Sequence, residues 1–201
     1  MTEDYEFTQD WFTPHIPMWE RWMAMLPQRK RFLEIGSYEG RSAVWLAGQL
    51  EIGGVLECVD PWIGNGEHAA PGMPIDDKCE RFQRNIKKRL EELDGINIWS
   101  YRQTSFDWLT EANRSRFPGS YDFIYIDGSH LAKDCLTDCI LAWPLLRPGG
   151  LMCVDDYVWS DGSHANMSPK WAIDVFTSMW GGELDFVGHG NQVVVRKRVP
   201  V

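Results

Sequence analysis

Short apolar segments alternate with longer amphipathic segments along most of this chain. The apolar segments are strand candidates at Phe32–Ile35, Val55–Val59, Ile96–Tyr101, Tyr121–Ile126 and Leu151–Val154. The amphipathic segments between them are helix candidates at Ser42–Leu50, Asp76–Leu93, Ser105–Asn113 and Leu131–Leu146. Because the inner strands are apolar along most of their length, the pattern predicts a parallel sheet covered by helices on both faces.

The last third of the chain predicts a helix followed by a hairpin. Pro169–Trp180 has proline in its first turn, where the missing N–H costs least. Leu184–Val187 and Gln192–Arg196 flank a Gly-His-Gly-Asn turn, which makes the last strand antiparallel. Glycine and proline also predict a loop at Gly64–Pro74 and a sharp turn over residues 147–150.

The chain contains no internal repeat and no linker, so we expect a single domain over residues 1–201. Residues 1–30 are amphipathic and rich in tryptophan. They predict helices that pack on the sheet or form a lid over the site. Residues 31–201 then form the α/β core.

Charge and cysteine usage narrow the partners and the compartment. A net charge of −9 argues against nucleic acid or an anionic membrane as the main partner. No apolar run approaches the ~20 residues of a membrane helix, and Met1–Trp11 does not resemble a signal peptide. The five cysteines form no C-x-x-C pair, which predicts free thiols in a cytoplasmic protein.

Acidic residues stand where several predicted strands end. Glu34 lies at the end of the first strand, Asp60 follows the second and Asp127 follows the fourth. Asp155 and Asp156 follow the fifth. Ligands of open α/β sheets bind at this edge. A single strand-end carboxylate often only caps a turn, but several together repel one another unless a cation or ligand compensates.

The turn after the first strand favours a nucleoside ligand without a pyrophosphate. Gly36 and Gly40 permit a tight turn and a close approach of the backbone. Their G-x-x-x-G spacing differs from the G-x-G-x-x-G of dinucleotide sites. Glu34 would repel a phosphate and favour a sulfonium or ammonium group, and Asp60 can accept hydrogen bonds from both ribose hydroxyls. The alternative is a generic strand–turn–helix.

Two motifs resemble those of the class I S-adenosylmethionine-dependent methyltransferases. The segment Phe32–Ser42 is similar to their first motif in the form found in catechol O-methyltransferases, which also carry tyrosine at the position of Tyr38. Tyr125–His130 is similar to the Ile-Asp-Gly-x-His stretch of macrolide-sugar O-methyltransferases. The resemblance spans about residues 32–196. It implies a Rossmann-like, mostly parallel sheet of seven strands with an antiparallel last strand.

The resemblance also implies a set of site residues. For S-adenosylmethionine these are Glu34, Gly36, Ser37, Tyr38, Gly40, Ser42, Asp60, Trp62, Ser105, Phe106 and Asp127. For magnesium they are Asp127, Asp155 and Asp156. Mg²⁺ prefers oxygen ligands and lowers the pKa of a bound hydroxyl. His130 stands where the family has a catalytic base, and Asp127 belongs to the same catalytic group.

These residues predict a Mg²⁺-assisted O-methyltransferase acting on a hydroxyl of a small molecule, either a sugar or a phenol. Its acceptor pocket is expected to be lined by Trp11, Phe12, Trp62 and Trp159. The alternatives are a metal-independent enzyme with His130 as base, a non-catalytic S-adenosylmethionine-binding protein, and a nicotinamide oxidoreductase. The sequence leaves open whether the chain forms a homo-oligomer. The histidines His68 and His164 lie in predicted loops, and we expect both to be exposed to solvent.

Overall fold

The computed structural model describes residues 5–63, 76–115, 118–160, 162 and 168–200. Its strands are β1 (Arg31–Ile35), β2 (Val55–Val59), β3 (Asn97–Tyr101), β4 (Tyr121–Ile126), β5 (Leu146–Val154), β6 (Leu184–His189) and β7 (Val193–Lys197). Its α-helices are α1 (Ile16–Met23), α2 (Arg41–Ala47), α3 (Asp76–Glu92), α4 (Ser105–Ser115), α5 (Ala132–Ala142) and α6 (Pro169–Met179). The predicted loop Gly64–Pro74, which contains His68, lies outside these described residues. His164 also lies outside them.

The seven strands form one sheet in the order β3-β2-β1-β4-β5-β7-β6. Strands β1 to β5 pair in parallel, and β7 runs antiparallel to both β5 and β6. The central strand β4 is buried at every position, as its mostly apolar sequence predicts. The predicted mostly parallel sheet with an antiparallel last strand is confirmed.

Helices cover both faces of the sheet and create two apolar cores. On one face, α4, α5 and α6 pack with residues such as Leu109, Cys139 and Phe176. On the other face, α1, α2 and α3 pack with residues such as Trp19 and Phe82. This two-sided burial is why the inner strands carry apolar residues on both faces.

Two predicted helices end earlier than the apolar pattern suggested. Helix α2 ends at Ala47, directly before Gly48. Helix α5 ends at Ala142, and a 3-10 turn over Trp143–Leu145 follows it, because Pro144 cannot continue an α-helical ladder. The apolar periodicity continues through this turn, so periodicity alone placed the helix end at Leu146.

The prediction of a sharp turn over residues 147–150 is wrong. Strand β5 already begins at Leu146 and includes this segment. The register against β4 shifts here, since Tyr121 pairs with Leu146 and Phe123 with Leu151. Pro148 has no N–H to donate and Gly149 has a φ of 80°, so the segment forms a bulge within the strand.

The N-terminal segment packs into the core that contains α2 and α3. Trp19 of α1 is fully buried and contacts the rings of Phe12, Phe123 and Tyr125. The main chain before α1 is tied to α3 through the Glu6 N–H, which donates to the Asn85 side chain at 2.8 Å. Residues 5–30 therefore complete one apolar core of the sheet.

All five cysteines are free thiols, and four of them are buried. Among the described residues, no helix is both long and apolar enough to cross a membrane.

A buried carboxylate anchors the start of β4, at the edge of the sheet opposite the carboxyl ends of the parallel strands. Asp122 accepts hydrogen bonds from the backbone N–H groups of Lys30 and Arg31 at 2.7 and 2.9 Å. It also forms an ion pair with Arg147 at 2.7 Å and accepts from Gln28 at 3.0 Å. One side chain thus fixes the start of β1 against β4 and the bulge of β5.

We expect Asp122→Ala to lower the free energy of unfolding by about 3–5 kcal/mol, because it leaves a partly buried guanidinium and two backbone donors without their buried acceptor. Urea denaturation monitored by circular dichroism measures this. Asp185→Ala is the matched control, since its ion pair with Arg198 is solvent-exposed and contributes less than about 1 kcal/mol. Equal losses in the two variants would contradict the assignment.

Candidate active site

The pairing register brings four strand ends to one level of the sheet. Ile35 of β1 pairs with Val59 of β2 on one side and with Ile126 of β4 on the other. Ile126 in turn pairs with Val154 of β5. The next residues along these strands are Gly36, Asp60, Asp127 and Asp155.

A cavity of about 980 Å³ lies at this edge of the sheet. Its size is at the upper end of the range for small-molecule sites, and it leaves room for two ligands side by side. The predicted residues that line it are Gly36, Ser37, Tyr38, Ser42, Asp60, Trp62, Ser105, Phe106, Asp127, His130, Asp155 and Asp156. Two predicted residues, Glu34 and Gly40, do not line it.

The turn after β1 requires glycine at its first position. Gly36 has a φ of 83°, and a Cβ at this position would lie 1.9 Å from the carbonyl oxygen of Asp127. The Gly36 N–H donates to Val59 at 2.9 Å, so the turn remains part of the sheet edge. Glycine at this position therefore lets the turn after β1 pack directly against the backbone of Asp127.

Asp60 organises this turn from the end of β2. One of its oxygens, Oδ2, accepts the backbone N–H groups of Ser37 and Tyr38, both at 2.9 Å. The other, Oδ1, accepts the N–H of Trp62 at 2.7 Å. A carboxylate has about four acceptor positions, so one remains for a ligand. The sequence predicted that Asp60 binds both ribose hydroxyls. While these three hydrogen bonds are in place, Asp60 can accept a hydrogen bond from one of these hydroxyls.

Trp62 forms part of the wall beside the turn. Its indole N–H donates to the carbonyl oxygen of Tyr38 at 2.7 Å, and its ring contacts Phe82 at 4.8 Å. Its backbone has a φ of 46°, which is uncommon for a bulky residue. The side chain is 4% exposed, so it fills core space and presents only a small surface to the cavity.

Glu34 lies beneath the turn and away from the cavity surface. It is fully buried, and its Oε2 accepts a hydrogen bond from the Ser37 hydroxyl at 2.5 Å. Burial raises the pKa of this carboxyl to about 7. The Glu34 side chain therefore holds Ser37 from below the turn. It does not reach the cavity, so the predicted direct contact with a cationic ligand group does not agree with its position.

Tyr125 joins two carboxylates of the acidic cluster, by which we mean Asp127, Asp155 and Asp156. Its hydroxyl oxygen lies 2.8 Å from Asp127 Oδ2 and 2.5 Å from Asp155 Oδ2. Burial and the neighbouring carboxylates raise the pKa of Asp127 well above its usual range, and burial and Asp156 raise that of Asp155. The cluster therefore carries unfavourable charge at high pH unless a cation or further donors compensate.

Asp155 already has several hydrogen-bond donors around it. Oδ2 accepts from Tyr125 and from Gln192 Nε2, the latter at 2.6 Å. Oδ1 accepts from the backbone N–H of Asp156 at 2.8 Å and from Asn191 at 3.3 Å. With about four acceptor positions, this carboxylate is saturated by the protein itself.

His130 lies between the acidic cluster and an aromatic wall. Its Nε2 is 2.8 Å from Asp156 Oδ2, and its ring contacts Trp159 at 4.4 Å. One ligand atom each from Asp127, His130 and Asp156 lie within 4.8 Å of one another. Among the described residues, this compact group is the one suited to a metal ion, and it contains His130 in place of the predicted Asp155.

A family model described as a methyltransferase domain matches residues 33–157, more than half of the chain. The chain belongs to this methyltransferase family. The matched segment runs from the glycine turn to the acidic cluster, and it confirms the family indicated by the two sequence motifs. No curated protein sequence matches the methyltransferase.

Solved structures share the fold at low sequence identity. An O-methyltransferase from Bacillus cereus in complex with SAH is 19% identical with a TM-score of 0.65, covering 95% of this chain and 84% of that one. The O-methyltransferase TomG from Streptomyces achromogenes, in complex with SAM, is 19% identical with a TM-score of 0.64, covering 91% and 80%. MycE of the mycinamycin pathway, in complex with Mg and SAH, is 19% identical with a TM-score of 0.58, and this chain spans 51% of its length.

The N-terminal segment of the methyltransferase covers part of the cavity. Phe7, Gln9, Trp11 and Phe12 line it, and the Trp11 ring contacts Tyr38 at 5.3 Å. Together with Trp62 and Trp159, all four aromatic residues expected around the acceptor reach the cavity wall.

A buried carboxylate holds this segment in place. Both the backbone N–H and the hydroxyl of Thr8 donate to Glu39, at 2.6 and 2.7 Å. Arg81 of α3 donates to the same carboxylate at 2.8 Å. Because Glu39 lies inside the turn after β1, the segment is fastened directly to the turn that it covers.

Asp138 is a cavity residue that the sequence-based reasoning missed. It is 2% exposed on α5, lines the cavity and interacts with Ser105 at the start of α4. Burial raises the pKa of Asp138 to about 7. The available signal was an acidic residue within the apolar face formed by Cys135, Cys139 and Ala142.

We expect Glu34→Gln to weaken the pH dependence of stability between about pH 4.5 and 7. The folded protein keeps the Glu34 proton up to about pH 7, whereas an unfolded glutamate loses it near 4.5. The free energy of unfolding therefore falls as the pH rises through this window, by at most about 3 kcal/mol from this group. The variant is then more stable than wild type above pH 7.

Urea denaturation at a series of pH values measures this slope. Glu111→Gln, an exposed change on α4, is the control and keeps the wild-type slope. A Glu34→Gln slope equal to that of wild type would refute the assignment. Asp138 titrates in the same range and leaves a residual slope in both variants.

Proposed function

We propose that the protein transfers the methyl group of S-adenosylmethionine to a hydroxyl of a small molecule, with help from a divalent cation. The observation that carries the proposal is the position of the acidic cluster and His130 beside the Gly36 turn, in one cavity. A turn that accepts a nucleoside and a group that activates a hydroxyl are the two parts such a reaction needs.

The donor occupies the part of the cavity near the first turn. Gly36, Ser37 and Tyr38 line this part of the cavity, and Asp60 keeps one acceptor position for a ribose hydroxyl. Ser105 and Phe106 line the same cavity from α4 and provide a polar edge and an apolar face for the adenine ring. The G-x-x-x-G spacing supports a donor without a pyrophosphate.

The acceptor occupies the part near His130 and the aromatic wall. Trp159 packs on His130, and Trp11 and Phe12 line the cavity from the N-terminal segment. Two similar structures are named for natural-product pathways: TomG for tomaymycin synthesis, and MycE, which also has a complex with mycinamycin VI. Both support a small natural product as the acceptor, and the sugar or phenolic hydroxyl expected from the sequence is the group that we propose is methylated.

Asp127 and Asp156 are the proposed cation ligands. They are common to the predicted magnesium set and to the compact group of ligand atoms. Carboxylate oxygens suit Mg²⁺ or Mn²⁺, and a bound cation supplies a lower pKa for the acceptor hydroxyl. The raised pKa of Asp127 fits a site whose charge is only balanced when a positive partner is present.

His130 is the proposed base that takes the hydroxyl proton as the oxygen forms its bond to the methyl carbon and the carbon–sulfur bond breaks. In the present geometry its Nε2 pairs with Asp156, and a carboxylate only accepts, so Nε2 carries the hydrogen. His130 can accept a proton there only after this pair opens. Acid–base action at His130 therefore uses either Nε2, once this pair opens, or Nδ1, which is the acceptor nitrogen when Nε2 carries the hydrogen.

A second role for His130 is favoured by the compact group of ligand atoms, which includes its imidazole. In that case His130 binds the cation and the base is another group or water. The metal-independent alternative remains the third form of the hypothesis, with His130 acting alone.

The donor proposal predicts that Asp60→Asn binds S-adenosylmethionine at least about 10-fold more weakly, because the substitution removes one acceptor oxygen of a charged hydrogen-bond network. Isothermal titration calorimetry measures the dissociation constants. Asp174→Asn, an exposed change on α6 outside the cavity, keeps the wild-type affinity. Absence of S-adenosylmethionine binding by the wild-type protein would refute the proposed function.

For His130→Ala we expect kcat to fall by ~10²–10⁴ while donor affinity is kept, because a positioned base is lost. The pH–rate profile loses its acidic limb, and the Mg²⁺ concentration for half-maximal activity stays within about 3-fold of wild type. His189→Ala, which removes a ring that packs on Tyr157 outside the cavity, is the control.

Two outcomes separate the alternatives. If His130→Ala raises the Mg²⁺ concentration for half-maximal activity about ten-fold or more, His130 is a metal ligand. This is the size of effect expected when a ligand or the group that orients it is lost. Full activity of the wild-type enzyme after exhaustive treatment with EDTA would reject the cation and leave the metal-independent form.

A further inference from the structure

A buried chain of hydrogen bonds connects helix α1 to the acidic cluster. The indole N–H of Trp19 donates to Gln192 Oε1 at 2.7 Å. The amide nitrogen of Gln192 donates to Asp155 Oδ2 at 2.6 Å, and the same oxygen lies 2.5 Å from the Tyr125 hydroxyl. Trp19, Gln192 and Tyr125 are all less than 5% exposed, so water does not replace these partners.

The first bond of the chain fixes the orientation of the Gln192 amide. An indole N–H can only donate, so the group that faces Trp19 must be the amide oxygen. The NH₂ group then points at Asp155, which can only accept when it is ionised. A reversed amide would put two donors against each other at one end and two acceptors at the other, and both contacts would be lost.

Asp155 needs such a donor because it lies among like charges. Asp127 and Asp156 repel it, and Tyr125 has a single hydroxyl hydrogen for two carboxylate neighbours. Without Gln192 the Asp155 side chain loses a short, charge-assisted bond and can rotate away from the cluster. Since Tyr125 also contacts Asp127, the disturbance passes to a proposed cation ligand.

The position of Gln192 depends on packing between the two ends of the chain. Trp19 contacts the Tyr125 ring edge-to-face at 4.7 Å, and Gly188 of the hairpin lies against Trp22, where a Cβ would come within 2.9 Å of the indole. Trp19 and Gln192 both lie outside residues 33–157, the segment matched by the family model. The contact is therefore a feature of this chain beyond the matched family segment.

We propose that Gln192, with its amide oriented by Trp19, is a positioning residue that fixes the Asp155 carboxylate and thereby the geometry of the acidic cluster. The role of the acidic cluster in cation binding rests on the proposed function. The positioning of Asp155 by Gln192 is independent of it, because it is a property of the protein without a metal. The variants that test it are Gln192→Leu, which removes both bonds, and Trp19→Phe, which removes the indole donor and keeps an aromatic ring. Trp143→Phe, which removes a buried indole N–H donor on the other face of the sheet, is the matched control.

Crystal structures of the metal-free, full-length variants give the direct test. In Gln192→Leu we expect the Asp155 Oδ2 to Tyr125 Oη distance to exceed about 3.5 Å, so that no hydrogen bond remains. Trp19→Phe is expected to show the Gln192 amide in a changed orientation, while Trp143→Phe keeps the wild-type arrangement. An unmoved Asp155 in Gln192→Leu would overturn the proposal, as would an equal displacement in Trp143→Phe.

Binding of Mn²⁺ in the absence of donor, followed by electron paramagnetic resonance of the free ion, gives the functional readout. We expect Gln192→Leu to weaken Mn²⁺ binding by at least about 10-fold, the effect typical of residues that orient metal ligands. Affinity for S-adenosylmethionine, measured by calorimetry, stays unchanged. Wild-type Mn²⁺ affinity in Gln192→Leu would contradict the proposal.

The two measurements separate failure of this inference from failure of the proposed function. If the wild-type protein binds no Mn²⁺, the cation part of the proposed function fails, and the crystal structures alone decide the role of Gln192. If the wild type binds Mn²⁺ and Gln192→Leu binds it equally well, the proposed function stands and the positioning role is rejected.

Discussion

Repulsion among carboxylates at one buried edge of the sheet is the constraint on which the site depends. The register that pairs Ile35 with Ile126, and Ile126 with Val154, places Asp127 and Asp155 side by side. Burial removes the water that would screen them, so the pKa of each rises. Among the described residues, Tyr125, Gln192 and Asn191 donate hydrogen bonds to these carboxylates.

Four carboxylates of the cavity divide into two kinds by what surrounds them. Asp60 and Asp155 are supplied with donors by the protein, through backbone N–H groups in one case and through Tyr125 and Gln192 in the other. Asp127 and Asp156 share a compact space with His130. The first kind shapes the site, and the second kind is suited to bind and react.

The two ends of the chain close the site around the matched methyltransferase segment. Thr8 binds Glu39 beside the glycine turn, and Trp19 binds Gln192 behind the acidic cluster. Both contacts are buried or partly buried, and each links an N-terminal residue to a different part of the cavity. The N-terminal segment therefore has two roles. It packs in the apolar core, and its hydrogen bonds hold residues at the cavity in place.

The sequence by itself determined the order of the elements and which residues reach the edge of the sheet. Apolar strands and strand-end acids are local patterns, so β2 and β4 were predicted at their observed bounds, and Asp60, Asp127 and Asp156 were placed at the cavity. The bulge in β5 was missed because proline and glycine also signal turns, and only pairing with β4 distinguishes the two.

The tertiary structure decided which atoms face one another. Glu34 was expected to meet the ligand, but the direction of its side chain in β1 buries it against Ser37. Gln192 in the last hairpin has no local signature that assigns it to the site, and the acidic Asp138 on the apolar face of α5 does not by itself indicate which groups it meets. Their roles arise from contacts between residues far apart in the chain. Such contacts depend on packing and on hydrogen-bond direction, and neither is encoded in the spacing of residues along the sequence.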